Sequence, residues 1–227
     1  MPTVLITGAS RGIGLEFARQ YAAHGWKVLA ACRNPAEAAE LNKLGGDVSL
    51  FALDVDDDRS IGQLAERLKG VPIDVLINNA GISGREAGTL GSVDSATFMK
   101  VLRTNTVAPL KVTEAFVDNV AASEQRKVVA ITSRLGSIEL NDGGGMYAYR
   151  ASKAALNAAW KSLSIDLKGR KVTCAVFHPG WVQTDMGGKS APVQPKDSVA
   201  GMSKVIAGLK PSDTGRFFNY DGAPLAW

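Results

Sequence analysis

Short apolar runs alternate with longer amphipathic stretches along the whole chain, and that alternation leaves few folds open. An apolar run of roughly four to eight residues bounded by turn residues reads as a strand buried on both faces, and parallel sheets with helices on each side bury strands in that way. Seven such runs fall at residues 4–7, 27–32, 48–53, 75–78, 127–132, 172–177 and 216–220. Amphipathic patterns between them predict helices over 12–24, 35–44, 60–69, 104–122, 147–168 and 197–209. The expectation is an α/β fold. No tract rich in Pro, Gly or Ser splits the 227 residues, so the chain reads as one domain over 1–227. The loop-like stretch 180–195 is short for a boundary and reads as an active-site lid.

The turn after the first strand narrows the chemistry. Thr7-Gly8-Ala9-Ser10-Arg11-Gly12-Ile13-Gly14 opens the first helix. The first-turn N–H groups of a helix have no internal partner and can bind a pyrophosphate, while glycines permit the tight turn and the close approach of a diphosphate. The end of the second strand then bears on which dinucleotide fits. A carboxylate there would bind the ribose hydroxyls of NAD(H) and repel a 2′-phosphate. The sequence has Ala31-Cys32-Arg33-Asn34 instead, so Arg33 is placed to pair with a 2′-phosphate, with Arg11 as a second charge. NADP(H) is favoured, the competing reading being that Arg33 is a solvated loop charge.

Tyr149-Arg150-Ala151-Ser152-Lys153 places a phenol and an ammonium at i and i+4, neighbours on one helix face. A fixed positive charge within about 4–6 Å favours the phenolate and makes a tyrosine usable as a general acid. An exposed helix carrying Tyr and Lys by chance has the same spacing. Other classes find less support. The formal charge of +4 is scattered without a basic run, which speaks against nucleic acid or a membrane surface as partner. Cys32 and Cys174 match no metal or redox spacing, and the two histidines cannot build a metal site alone, so no metal is expected. Met1-Pro2 leads into strand 4–7 without a basic n-region and no apolar run reaches a membrane span; a cytoplasmic protein is expected.

Thr7 to Gly14, Asn78-Asn79-Ala80-Gly81, Asn105 and Tyr149/Lys153, in that order, resemble the short-chain dehydrogenase/reductase family over residues 3–222. Tyr147-Ala148-Tyr149-Arg150-Ala151-Ser152-Lys153 and His178-Pro179-Gly180-Trp181-Val182-Gln183-Thr184-Asp185-Met186 are similar to its carbonyl-reductase-like group, which includes the sniffer and C-factor proteins. The resemblance implies a single-domain Rossmann fold, a doubly wound parallel seven-stranded sheet of order 3-2-1-4-5-6-7. It implies a catalytic set of Asn105, Ser133, Tyr149 and Lys153. Tyr149 would give a proton to the carbonyl oxygen, Lys153 would lower the phenol's pKa and hold the nicotinamide ribose, Ser133 would hold the substrate oxygen, and Asn105 would anchor a water relaying protons to Lys153. Ser137, 12 residues before Tyr149 where Ser133 is 16 before it, is the rival serine and is read as packing in its loop. Cofactor contacts implied by the same match are Gly8, Ser10, Arg11, Gly12, Ile13, Gly14, Arg33, Asp54, Val55, Asn78, Ala80, Gly81, Tyr149, Lys153, Pro179, Gly180, Val182 and Thr184. Asp54 has the alternative of capping a turn, and Asn78 that of tying strands together.

The implied function is NADPH-dependent reduction of an aldehyde or ketone to an alcohol. The alternatives are an NADP(H)-binding signalling or redox-sensing protein with little turnover, and an epimerase, for whose larger substrate domain 227 residues leave no room. Substrate contacts are expected from 82–99, 134–146 and 181–202, with Leu135, Leu140, Met146, Tyr147, Trp181 and Met186 lining an apolar pocket or else belonging to the core. Alanine-rich faces within 104–122 and 147–168 predict a homodimer or homotetramer.

Overall fold

A computed structural model describes residues 1–84 and 89–227. Seven strands, β1 (Thr3–Thr7), β2 (Lys27–Cys32), β3 (Val48–Ala52), β4 (Val75–Asn78), β5 (Lys127–Ile131), β6 (Thr173–His178) and β7 (Arg216–Asn219), form one sheet in the order β3-β2-β1-β4-β5-β6-β7. Every neighbouring pair is parallel, with Thr7 level with Ala31 and Asn78 with Ala130. The doubly wound sheet therefore has the expected order. Strand side chains alternate between faces, so Val4 and Ile6 enter one core while Leu5 enters the other. Helices α1 (Gly12–Ala23), α2 (Ala39–Asn42) and α7 (Pro195–Gly208) cover the first face through Phe17, Leu41 and Met202. On the other, α3 (Asp58–Arg67), α5 (Ala108–Ala121) and α6 (Tyr147–Asp166) supply Leu64, Phe116 and Trp160.

Three helix expectations needed correction. The helix expected over 35–44 is a 3-10 turn, Pro35–Glu37, followed by the single turn α2, because the Asn42 amide donates to the carbonyls of Pro35 (2.8 Å) and Ala38 (3.0 Å) and competes with a continuous ladder. α3 starts two residues earlier than expected, where Asp57 accepts the Arg59 N–H at 2.9 Å as N-cap. The helix expected over 104–122 has a preceding part, α4 (Ser95–Leu102), whose N-cap Asp94 accepts the Thr97 N–H at 2.7 Å. α4 and α5 are joined by a π-helical turn, Arg103–Val107, in which Ala108 N–H reaches back to Arg103 C=O. Its cause is Pro109, which has no N–H for the carbonyl of Asn105 four residues before it, so the ladder slips by one residue.

Trp160 is 1% exposed at the centre of the α3/α5/α6 core. Trp160→Ala is expected to destabilise the fold by about 3–5 kcal/mol, read from the urea unfolding midpoint.

Candidate active site

The order reversal between β1 and β4 makes a crevice at the carboxyl ends of the strands, where open α/β sheets hold ligands. Gly8 (φ +66°) and Gly12 (φ +56°) take left-handed backbone there, and a Cβ on Gly14 would lie 2.2 Å from the Gly8 carbonyl oxygen. The α1 N-terminus has no side-chain cap and no acidic residue in its first turn, so its N–H groups face the crevice uncompensated. Asn79 ties this turn to β4: its Nδ2 donates to the carbonyls of Thr7 (2.9 Å) and Gly8 (3.1 Å). Thr7 Oγ1 in turn accepts from the N–H groups of Asn79 and Ala80. The strand tie is thus Asn79 with Thr7, not Asn78, whose amide goes to Thr113 Oγ1 on α5 (3.1 Å) and whose Oδ1 is buried without a partner among the described residues. The second asparagine of the doublet was the signal.

The segment 180–195, expected as a lid, approaches the same turn. Thr184 lies against Gly12, whose added Cβ would meet Thr184 Cγ2 at 3.4 Å. Pro179 C=O accepts from Ser198, Gly180 (φ +84°) packs on Tyr220, and Val182 bridges Val193. Arg11 is exposed and pairs with Asp185 of that segment at 3.1 Å, so its charge is committed to the protein rather than standing free beside Arg33. An exposed pair of this kind holds weakly, typically by less than about 1 kcal/mol. Arg33 is exposed and makes no ion pair or side-chain hydrogen bond among the described residues. Asp54 Oδ1 accepts the Asp56 N–H at 3.0 Å, the turn-capping alternative, while Val55 lines the crevice with Thr7, Asn78 and Ala80. Ser10 and Ile13 are half-buried, the latter packed on the α1 core.

On the other side of the switch the four expected catalytic residues come together. Lys153, 5% exposed, donates from Nζ to Ile131 C=O at 2.8 Å, and burial lowers its pKa to about 8. Its Nζ lies 5.8 Å from the Tyr149 ring centroid. Burial raises the Tyr149 phenol, and a hydrogen bond with Ser133 pulls it partly back, so the neutral acid is the form present at pH 7. The net direction is upward, set by desolvation with the Ser133 bond opposing it, where a lowering by Lys153 was the expectation. Ser133 is the buried N-cap of the turn Arg134–Gly136. Ser137 is committed elsewhere, donating to Trp227 O (3.0 Å) and accepting from Leu140 N–H (3.1 Å). Asn105 is fully buried in the π turn, bonded through Oδ1 and Nδ2 to the backbone of Ile82 (2.9 Å each) and through Nδ2 to Ser152 Oγ (3.0 Å). An added Cβ on Gly81 would meet Asn105 Oδ1 at 3.1 Å and Lys153 Nζ at 3.7 Å, so both converge on this glycine. His178 is half-buried, its enclosed Nδ1 without a partner among the described residues, and its pKa is lowered to about 4 by burial and by Arg134.

A strand-to-helix turn cleared of side chains, uncompensated helix N–H groups and a cluster of half-buried Tyr149 with buried Ser133 and Lys153 share one crevice, and residues 2–194 match the family model for short chain dehydrogenase. The chain belongs to the short chain dehydrogenase family. It is 49% identical over 156 residues, 69% of this chain and 93% of the relative, to the C-signal of Myxococcus xanthus. Carbonyl reductase Sniffer of D. melanogaster superposes with a TM-score of 0.92 at 36% identity over the whole of both chains. An NADPH-bound carbonyl reductase from chicken fatty liver does so with a TM-score of 0.92 at 37% identity, over 100% of this chain and 99% of that one.

None of Leu135, Leu140, Met146, Tyr147, Trp181 and Met186 joins the hydrophobic cores, and Trp181 is 55% exposed. They are half-buried or exposed rather than filling the interior. Of the segment 82–99, residues 85–88 lie outside the described residues.

The folded chain releases the Lys153 proton near pH 8, whereas an unfolded lysine holds it to about pH 10.4, so the buried charge opposes folding at neutral pH and the penalty fades as pH rises through that window. Lys153→Met should therefore melt above the parent at pH 7, by on the order of 2 kcal/mol, with the gap closing near pH 10. Thermal melts at both pH values check this; a destabilised variant at pH 7 would contradict it.

Proposed function

We propose that this protein is an NADPH-dependent reductase converting an aldehyde or ketone with an apolar body to the alcohol. The observation that carries the reading is the half-buried Tyr149 phenol, raised in pKa by desolvation beside Ser133, with the buried Lys153 one helical turn on, at the crevice beside an uncapped helix N-terminus. The residues fit a dinucleotide phosphate. Gly8, Ser10, Gly12, Ile13 and Gly14 would cradle the diphosphate, Arg33 the 2′-phosphate, Val55, Asn78, Ala80 and Gly81 the adenosine and ribose side, and Pro179, Gly180, Val182 and Thr184 the nicotinamide side. Arg11 would join Arg33 by exchanging its exposed bond to Asp185, and Asp54 would contribute through the turn it caps. The bound cofactor supplies a hydride.

The chain's own groups handle the proton. Ser133 Oγ would hold the substrate oxygen beside the phenol, and Tyr149 would pass it the phenolic proton as negative charge develops. Lys153, depressed to about 8, would reprotonate Tyr149 and hydrogen-bond the nicotinamide ribose. Because the Asn105 side chain is taken up by Ile82 and Ser152, the atom left to hold a relay water is its backbone carbonyl, which Pro109 cannot occupy. The C-signal likeness supports a second reading, an NADP(H)-binding signalling protein with little turnover. We further propose a cytoplasmic homodimer or homotetramer built on α5 and α6, supported by Ile165, 64% exposed on α6.

NADPH oxidation against a panel of aldehydes, ketones, quinones and dicarbonyls separates these readings: turnover is expected with apolar carbonyls, and a cofactor-bound protein inert to the whole panel would favour signalling. Tyr149→Phe should lose at least about 10³-fold in kcat while keeping NADPH affinity. Arg33→Ala should weaken NADPH binding by roughly tenfold, about 1–2 kcal/mol, without altering NADH binding. Equal loss for both cofactors in a titration would remove the assigned 2′-phosphate contact.

A further inference from the structure

Residues 220–227 fold back on β7. Gly222 N–H donates to Asn219 C=O (2.9 Å) and Asp221 Oδ1 accepts from Ala223 N–H (3.0 Å), which reverses the chain. Asn219 N–H then donates to Ala223 C=O (2.7 Å) and Leu225 N–H to Phe217 C=O (2.9 Å), so the returning segment runs antiparallel to β7 and covers the sheet edge. Leu225 packs into the core that contains Phe217 and Trp160, and the Trp227 indole lies 5.6 Å from the Phe217 ring.

Covering the edge does not require what happens next. The Trp227 backbone oxygen accepts three hydrogen bonds from the segment after β5, from Ser137 Oγ (3.0 Å), Ile138 N–H (3.1 Å) and Glu139 N–H (3.2 Å). That segment begins with Ser133. Its other side is pressed on α6: an added Cβ on Gly136 would meet the Lys153 backbone carbon at 2.7 Å, and Gly136 C=O accepts from the Asn157 amide. Ser133 C=O and Arg134 C=O accept from Gly136 N–H (2.9 Å) and Ser137 N–H (3.0 Å), which makes 133–137 one stiff turn. The turn is therefore clamped between the helix that carries Tyr149 and a strap anchored on the edge strand.

We propose that Trp227 and Ser137 are positioning residues, holding the turn 133–137 so that the Ser133 hydroxyl meets the Tyr149 phenol. Neither touches the reacting groups. Each acts through Ser133, and the inference rests on the reductase reading above. The indole anchored on Phe217 sets where the Trp227 oxygen stands, and the oxygen sets the far end of the turn. Loosening the clamp weakens the hydrogen bond that pulls the Tyr149 pKa down, so the phenolate forms at higher pH.

The test uses the full chain with para-nitrobenzaldehyde and NADPH for reduction, and para-nitrobenzyl alcohol with NADP⁺ for oxidation. Trp227→Ala and Ser137→Ala should each lower kcat for reduction by about tenfold with NADPH affinity within roughly twofold of the parent. The ascending limb of the oxidation pH profile, which reports the phenolate, should move to higher pH in both. Trp227→Phe, which keeps a ring for Phe217, should recover most of the rate. An unchanged kcat and pH limb in both alanine variants, with Tyr149→Phe inactive, overturns the proposal. So does a rate loss that follows a lowered melting temperature and weaker NADPH binding while the pH limb stays in place. Full turnover by Tyr149→Phe would overturn the reductase reading and this inference with it.

Discussion

The buried ammonium of Lys153 is the constraint around which the site is organised. An unpaired charge in a protein interior is costly, and this one is offset by a single main-chain bond to Ile131 C=O at the end of β5. Its surroundings show what placing it there demands. Gly136 has no Cβ because the Lys153 backbone passes within 2.7 Å of where one would stand, and a side chain on Gly81 would crowd Asn105 Oδ1 and touch Lys153 Nζ. Tyr149, one helical turn before it, is desolvated by the same packing and kept neutral. The two groups are pushed apart in pKa, the lysine down and the phenol up, so that a proton passes downhill from the lysine ammonium to a phenolate.

The sheet supplies the second half of the arrangement. Because the chain returns from β3 to place β4 beside β1, the turns after β1 and β4 separate and leave a crevice that α1 points into. Thr7 and Asn79 bridge that crevice at its base, so the glycine turn and the segment leading to Gly81 are tied together. The π turn at Arg103–Val107 brings Asn105 to the same place from the α4/α5 side. Pro109 breaks the regular ladder at Asn105 and leaves the backbone carbonyl of that residue without the usual partner four residues on.

Strands were well legible because apolar runs buried on both faces are continuous in sequence, and β2 and β4 have the expected bounds. Helix ends were less so. α3 and α4 begin at aspartates whose capping role depends on which of several nearby candidates the fold selects, as the run Asp54-Val55-Asp56-Asp57-Asp58 illustrates. In the site, the glycine turn and the Tyr149/Lys153 pair could be read because their chemistry depends on residue type and spacing. The choice of Ser133 over Ser137 depended on position relative to a strand mouth. The fold adds a reason spacing did not carry, since Ser137 is bound to Trp227, 90 residues away. Arg11 was legible as a cation near phosphate, but its pairing with Asp185 joins residues 174 apart in sequence.

What residue order alone carried, then, is what local physics sets: alternating periodicity, a turn without Cβ atoms, and a phenol and an ammonium on one helical face. Three-dimensional packing was needed for whatever depends on distant segments meeting. It turned the Tyr149 pKa upward by burial where the sequence suggested a neighbouring charge would lower it. It also passed the strand tie from Asn78 to Asn79 and set Trp227 against the turn of Ser133. Desolvation and long-range hydrogen bonds are properties of the enclosed volume, and no single stretch of chain contains them.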